Sequence, residues 1–399
     1  MQEIFKGNFT QQEPIPEDGI AAALDVMRSG RLHRYNLSPG ELGEVGLLEQ
    51  EFATYVGSKY ALAVCSGGYA LATALRALDV KPGDKVLTNA FTLAPVPGSI
   101  ASVGAVPVFV GVTEDLVIDL DDLAEKAHLS NVLMLSHMRG HICDMDRLLE
   151  ICSEAGVKIV EDCAHTMGSA WRGVPSGRYG AIGCYSTQTY KHMNSGEGGF
   201  LVTDDDEIMA RATMLSGSYM LYERHGAVPG PEVFESVKYT TPNVSGRMDH
   251  LRAAILRPQL TKLDAQRDAW NARYQVVEDG LRDTPGLRLV DRPKEERYVG
   301  SSLQFLLLDW PNVAISDVLD RCLARGVELK WFGGAEPTGF TSRYDSWRYA
   351  PSARMPASDR ILHGVIDMRL PLTFSLEDCA LIARIIRSEV GAVWQEQAA

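Results

Sequence analysis

No apolar run in the sequence approaches the roughly 18–20 residues that a membrane span needs, so no transmembrane helix is expected. There is no Cys-x-x-Cys pair and no cluster of His with Cys, so no metal site is expected either. Cations are in short supply: 39 Lys and Arg stand against 52 Asp and Glu, a formal net charge of −13. So acidic a chain is a poor match for nucleic acid or an anionic membrane surface, and neither is expected as a partner. The opening stretch MQEIFKGNFTQQEPIPEDG lacks the basic-then-apolar order of a secretory signal. Internal repeats and low-complexity segments are also missing. The seven cysteines are an odd number, and Cys65, Cys152, Cys163, Cys184, Cys322 and Cys379 sit among apolar neighbours. Free thiols in a reducing cytoplasm account for them.

What is present is a regular alternation. Through the first 210 residues, apolar strand-like runs such as YALAVCSG (60–67), VPVFVGV (106–112), NVLMLSH (131–137) and VKIVEDC (157–163) alternate with helical stretches. Short apolar strands separated by amphipathic helices predict an α/β fold with a mostly parallel sheet covered on both faces. After about residue 247 the texture changes. MDHLRAAILRPQLTKLDAQRDAWNARYQVVEDGLRD has helical spacing, with Pro258 expected to kink or divide it. A strand at LQFLLLDW and two further helices follow. The expected organisation is a large α/β domain over 1–247 and a smaller α+β domain over 248–399, with residues 1–15 able to pack against the latter. The stretch 331–356, rich in aromatics, Gly and Pro, is too long for a plain connector.

In parallel sheets, ligands gather beyond the C-terminal strand ends, and four features fall there. Ser66-Gly67-Gly68 lies between a strand and a helix, where backbone N–H groups can cradle a phosphate, or simply make a turn. Asp162 ends a hydrophobic strand, where it can hold a protonated ring nitrogen or cap the next helix. Phe91 can stack on a flat ring or belong to the core. Lys191, preceded by Ser186 and Gln188, sits between two apolar runs and looks enclosed. An anion cradle, an aromatic platform, a carboxylate and an enclosed amine are together what pyridoxal phosphate requires.

The stretch IVEDCAHTMGSAWRGVPSGRYGAIGCYSTQTYKHMNSGEGGFLVTDD (159–205) resembles the core of the DegT/DnrJ/StrS family of sugar aminotransferases, within the fold-type I pyridoxal-phosphate enzymes. The motif is carried by Glu161-Asp162-Cys163-Ala164-His165, the Gly177–Gly183 turn, Ser186, Lys191 and Gly196-Glu197-Gly198-Gly199. The resemblance continues through 48–71, 247–260 and the late MRLPL. It implies that Lys191 forms a Schiff base with the cofactor and later moves the substrate proton. It further implies that Asp162 pairs with the pyridine nitrogen, Phe91 stacks on the ring and His165 lies near the ring hydroxyl. Ser66, Gly67, Gly68, Ser186 and Gln188 would hold the phosphate. A homodimer with shared sites is implied, the 243–247 region reaching across.

The sequence departs from the family pattern in places. Ser66-Gly67-Gly68 replaces the usual Ser-Gly-Thr, and Ser245 stands where relatives carry an Asn, leaving Asn243 as a substitute two residues away beside the matching Arg247. Arg139, His141, His192, Arg247 and Lys330 are candidate substrate contacts. Arg178, Arg224, His225 and Arg343 are further candidate anion contacts. The expected function is transfer of an amino group from glutamate or glutamine to a keto-sugar, nucleotide-linked or not, or to a cyclitol, through pyridoxal and pyridoxamine phosphate. A small non-sugar carbonyl acceptor, or a cofactor-binding regulator, is the alternative. The family's dehydratases have His in place of the lysine, which counts against that reaction, and loop 331–356 lacks the Cys a desulfurase would need.

Overall fold

The computed structural model describes residues 3–350 and 352–398. Met1, Gln2, Pro351 and Ala399 lie outside the described residues, and with them the start of the 1–15 segment and one position of loop 331–356. The apolar runs of the first 210 residues become seven strands: β1 (Tyr60–Val64), β2 (Lys85–Asn89), β3 (Val106–Val110), β4 (Val132–Ser136), β5 (Lys158–Asp162), β6 (Ile182–Ser186) and β7 (Gly199–Thr203). They form one sheet in the order β1-β7-β6-β5-β4-β2-β3. β7 alone runs against its neighbours, pairing antiparallel with β1 and β6. The other pairings are parallel, as in Leu133↔Ile159 between β4 and β5. The mostly parallel α/β sheet expected from the sequence is therefore present.

Strand periodicity decides which side chains face which layer. On β1, Leu62 and Val64 join the cluster containing Leu71, Leu75, Ile100 and Met134, while Ala61 and Ala63 join Phe52, Phe200, Leu256 and Leu263 on the opposite face. Four helices matter below: α1 (Glu17–Ser29), α2 (Gly43–Val56), α3 (Gly67–Ala77) and α4 (His250–Leu281). α4 begins at Asp249, whose carboxylate accepts from the Arg252 N–H at 2.9 Å, a standard N-cap. It then runs unbroken for 32 residues through Pro258. The expected division at that proline does not occur. The Gln259 side chain donates to the Ile255 carbonyl at 2.9 Å, covering backbone beside the proline.

A second, antiparallel sheet follows, built from β8 (Arg288–Leu289), β9 (Ser302–Leu306), β10 (Lys330–Trp331) and β11 (Val365–Arg369) in the order β8-β9-β11-β10. Its core also takes in Phe5 and Phe9, whose rings meet Phe374 edge-on. Much of loop 331–356 is occupied by packing: Phe332, Tyr344 and Trp347 are buried with Phe91 and Phe109. No helix among the described residues is long and apolar enough to cross a membrane.

The N-terminal segment is locked to the large sheet by a buried ion pair. Arg34 and Glu49, on α2, meet through two bonds of 3.0 Å with side chains 1% and 0% exposed. Glu49 also accepts from the Ala63 N–H of β1 and the Gly226 N–H. Burial pushes this carboxyl up, but Arg34 and then His225 outweigh it and hold it well below the usual range. Removing one member of such a pair strands the other, at a cost of roughly 3–5 kcal/mol. Glu49→Gln is expected to lower the urea midpoint at pH 7 by that equivalent. Because the folded carboxyl titrates below its unfolded counterpart, the wild type loses this contribution as pH falls below about 4.5, so the gap between the two proteins narrows in acid. Equal midpoints at pH 7 would refute the assignment.

Candidate active site

β1, β2, β4, β5 and β6 end along one edge of the sheet, and the sequence-predicted residues are drawn to it. Ser66 caps α3, accepting from the Tyr69 N–H at 3.1 Å. Gly67 follows because β6 crosses here: a Cβ at this position would sit 2.9 Å from the Ser186 Cβ. Gly68 is different. A Cβ there would meet only Pro95, at 3.8 Å, so the Thr common among relatives would fit and the missing hydroxyl is not enforced by space. Ser186 ends β6, its Oγ accepting from the Gln188 N–H at 3.3 Å, and Gln188 in turn accepts from the Tyr190 N–H at 2.9 Å.

Between β6 and β7 the chain makes the loop that carries Lys191. Thr187 N–H donates to the Gly198 carbonyl and Ser195 N–H to the Thr187 carbonyl, both at 2.9 Å, which closes the loop base. Gln259 of α4 clamps Asn194 from outside, accepting from its N–H and donating to its carbonyl, both at 2.8 Å. No local pattern signals this clamp, which joins residues 65 positions apart.

The Lys191 amine lies 2.7 Å from His165 Nε2. On its other nitrogen, His165 accepts from the Arg139 backbone N–H at 3.4 Å. A ring that accepts at Nδ1 carries its proton at Nε2 when neutral, so it donates to a neutral Lys191 amine. Burial, and then the positive charges around it, push His165 well below its ordinary range. Lys191 is lowered to about 7, first by burial and then by Arg139 and Arg369, against an opposing pull from Asp162. His192 is buried as well, bonded to the Met167 carbonyl at 2.8 Å and to Ser301 Oγ at 3.0 Å, and burial depresses it to about 4. It is thus neutral and committed to protein partners.

Asp162 ends β5. It accepts from the Ala164 N–H at 3.1 Å and from Ser136 Oγ at 3.4 Å, and burial raises its pKa. No lysine or arginine pairs with it among the described residues. A buried carboxylate without an ion-pair partner suits the protonated nitrogen of a heterocycle, and the donors at the head of α3 suit a phosphate. The residues present therefore fit pyridoxal phosphate. Ser136 is itself held by Asn89, which accepts from its N–H at 2.9 Å and donates to its carbonyl at 3.0 Å.

Other expectations land elsewhere. Phe91 is 1% exposed and meets Phe332 edge-on at 5.2 Å, so its ring is packed into the core around Phe332. Arg139 is buried and bound to Asp367 at 2.7 Å, and His141 is buried against Gln304 at 2.8 Å. Gln304 also donates to Asp367 at 2.7 Å. These groups form one polar chain between β4's end and the second sheet, and Arg139 also lines the cavity that holds Lys191 and His165. Lys330 pairs with Glu328, Arg178 with Asp204, Arg343 with Asp345, and His225 with Tyr35 and Glu49. Arg224 donates to the Tyr35 carbonyl. Asn243 is exposed and accepts from the Tyr219 N–H at 2.8 Å, while Arg247 binds the Gly217 carbonyl and Ser245. The fold also brings His137, Glu161 and Cys163 within 4.8 Å of one another, a cluster the spacing in the sequence did not suggest. Glu161 already accepts from His137 and from the N–H groups of Gly177, Tyr179 and Gly180, so it anchors the Gly177 turn.

The sheet, the strand-end lysine and the acid beside it define the class, an aminotransferase fold. The chain belongs to the DegT/DnrJ/EryC1/StrS aminotransferase family, which it matches over residues 15–387. A putative L-glutamine:3-amino-2,3-dideoxy-scyllo-inosose aminotransferase of Micromonospora echinospora is 34% identical over 286 residues, or 70% of this chain and 66% of that protein. The L-glutamine:scyllo-inosose aminotransferase of Streptomyces griseus is 33% identical over 278 residues, 68% of this chain and 63% of the relative. The matches thus span just under two thirds of the length of these relatives. The putative sugar aminotransferase Spr1654 from Streptococcus pneumoniae, in its PMP-form, superposes with a TM-score of 0.81 at 19% identity, covering 97% of this chain and 100% of that one. At that identity the likeness is one of fold.

The amine's environment has a direct readout. In cofactor-free protein, pH-dependent acetylation followed by peptide mass spectrometry is expected to modify Lys191 with a midpoint near 7, against about 10 for ordinary lysines. Below that midpoint the amine is protonated and unreactive. Removing the neighbouring charge with Arg139→Met is expected to move the midpoint upward, and an unmoved midpoint near 10 in the wild type would contradict the geometry.

Proposed function

We propose that this chain is a pyridoxal-phosphate-dependent aminotransferase that moves an amino group from glutamine or glutamate to the carbonyl of a cyclitol or sugar. The observation that carries the reading is the Lys191 amine, enclosed and held 2.7 Å from His165 on the sheet edge where Asp162 ends β5. The relatives named for glutamine and scyllo-inosose support that donor and a cyclitol acceptor.

When bound, pyridoxal phosphate supplies an aldehyde for amines and a ring that draws electrons from the carbon losing its proton. The chain's own residues do the rest. Asp162 would hold the proton on the ring nitrogen, because a carboxylate in that buried position favours a cation beside it. The N–H groups at the head of α3, with Ser66, Ser186 and Gln188, take the phosphate. Lys191 Nζ would take the proton from the donor's α-carbon and return it to the group, and its lowered affinity for protons leaves much of it neutral and able to do so near pH 7. His165 orients that amine. The clamp from Gln259 keeps the loop in place while Lys191 swings.

Under the same reading the chain divides near residue 247 into two domains, and a second copy covers the segment around Asn243. Tyr219, Met220, Tyr239 and Val244 are exposed there, an apolar patch that suits such a contact.

The test uses isotopically labelled L-glutamine with the purified, cofactor-loaded protein and a panel of keto-cyclitols, keto-sugars and small oxo-acids. Label is expected in the aminated cyclitol or sugar by mass spectrometry, and Lys191→Ala is expected to cut that transfer by at least about 100-fold, the low end for loss of a positioned acid/base. Label passing only to a small oxo-acid would replace the acceptor class. Transfer undiminished in Lys191→Ala would remove the lysine from the mechanism.

A further inference from the structure

A second cavity is lined by His141 but by none of Lys191, His165 and Asp162. It has a volume of about 440 Å³ and lies between the loop after β4, the hairpin at Trp171 and Arg172, and the turn over 291–296. The Arg172 N–H donates to the Glu295 carbonyl at 2.8 Å, which ties two of these walls together.

His141 is 4% exposed and bonds Gln304 Oε1 through Nε2 at 2.8 Å. Gln304 directs its own N–H groups at Ser302 and Asp367, so its oxygen faces the ring and Nε2 carries the proton. Nδ1 is then a bare acceptor, with no protein partner and still accessible from the cavity. Burial, and then Arg292, push His141 well below its ordinary range, which keeps that nitrogen unprotonated.

The rest of the lining carries five carboxylates against two guanidiniums. Both guanidiniums are taken, Arg292 by Glu296 at 2.9 Å and Arg172 by Asp146 at 2.8 Å. Asp115 is held by Arg288 at 2.9 Å, and Asp144 caps the helix Met145–Ala155. Asp291, 89% exposed, comes no closer than 3.8 Å to Arg288, and the Glu295 carboxylate pairs with no cation among the described residues. The Trp171 indole N–H is directed at Asp146 at 3.3 Å, so this ring offers the cavity only carbon.

A ligand that satisfies these walls needs a donor at its inner end and a cation at its outer one. The inner donor is a neutral hydroxyl, because Arg292 beside the imidazole opposes a second cation there. The cation belongs at the mouth, where Glu295 and Asp291 are free to meet it. We propose that this cavity is a second ligand site for a small hydroxylated primary amine, its hydroxyl donating to His141 Nδ1 and its ammonium meeting Glu295 and Asp291. Aminated cyclitols and sugars belong to this chemical class, but the lining alone selects it, and the site does not depend on the aminotransferase reading.

Calorimetric titration compares scyllo-inosamine with scyllo-inositol, which lacks the amine, and with cyclohexylamine, which lacks the hydroxyls. Each is titrated into cofactor-free protein, and into protein loaded with pyridoxal phosphate and reduced with borohydride so that Lys191 is occupied. scyllo-Inosamine is expected to bind in both forms, and each of the other two at least about 10-fold more weakly. Glu295→Gln combined with Asp291→Asn is expected to weaken scyllo-inosamine by about 10-fold and to leave scyllo-inositol unchanged. His141→Gln keeps a donor for Gln304 and removes the ring acceptor. It is expected to weaken both hydroxylated compounds by about 3- to 10-fold and to leave cyclohexylamine unchanged. Matching circular dichroism verifies that the variants are folded.

Binding lost on loading and reduction would place the ligand at Lys191 and overturn the second site. Equal affinity for the three compounds, no binding of any, or indifference to both variants would overturn it as well, and each leaves the aminotransferase reading standing. Failure of the protein to take up the cofactor would count against that reading alone, since the cofactor-free titration still tests the cavity.

Discussion

The structure depends on keeping one amine enclosed without giving it a carboxylate in contact. An unpaired ammonium in a buried setting is costly, and the chain lessens the cost by lowering the Lys191 amine to about 7, so that much of it is neutral near that pH. Its direct partner is a histidine ring, whose orientation is fixed by the Arg139 N–H. Arg139 has a left-handed backbone with φ of 57°, a conformation that costs about 1 kcal/mol or more outside glycine. Its side chain is secured at the far end by Asp367. A strained turn on the large sheet is thereby held by a carboxylate on the small one.

Two further devices serve the same loop. Gln259 sits immediately after Pro258, where α4 lacks one backbone donor, and its amide bridges the helix backbone to both polar groups of Asn194. Glu161, one residue before Asp162, spends its carboxylate on the Gly177–Gly180 turn and on His137. Two adjacent acids on one strand thus have opposite fates, because successive side chains point to opposite faces. Glu161 is saturated with donors and held low despite its burial, whereas Asp162 has few donors and is pushed up. That contrast separates a structural acid from one available to a ligand.

The large sheet was legible because each strand is a contiguous apolar run with local punctuation. The placing of Ser66, Asp162 and Ser186 at one sheet edge was legible because each lies at the end of such a run and parallel strands deliver their ends together, with Lys191 in the loop that follows β6. Phe91 stayed open between ring-stacking and core for the same reason: it also follows a strand, and its contact with Phe332, 241 positions away, lies in a loop whose packing no local pattern reveals. The pairing of Arg139 and His141 was not legible because their partners, Asp367 and Gln304, come from the second sheet. Pro258 was read as a break because propensity ignores a neighbouring amide able to cover exposed backbone.

The central claim is tested most directly by trapping the cofactor where it is held. Pyridoxal phosphate is added to the purified protein, the mixture is reduced with borohydride, and the digest is mapped by mass spectrometry. The account predicts a single stable adduct on the peptide carrying Lys191, lost in Lys191→Arg. An adduct spread over surface lysines, or one absent from residue 191 while the protein remains folded, would contradict it.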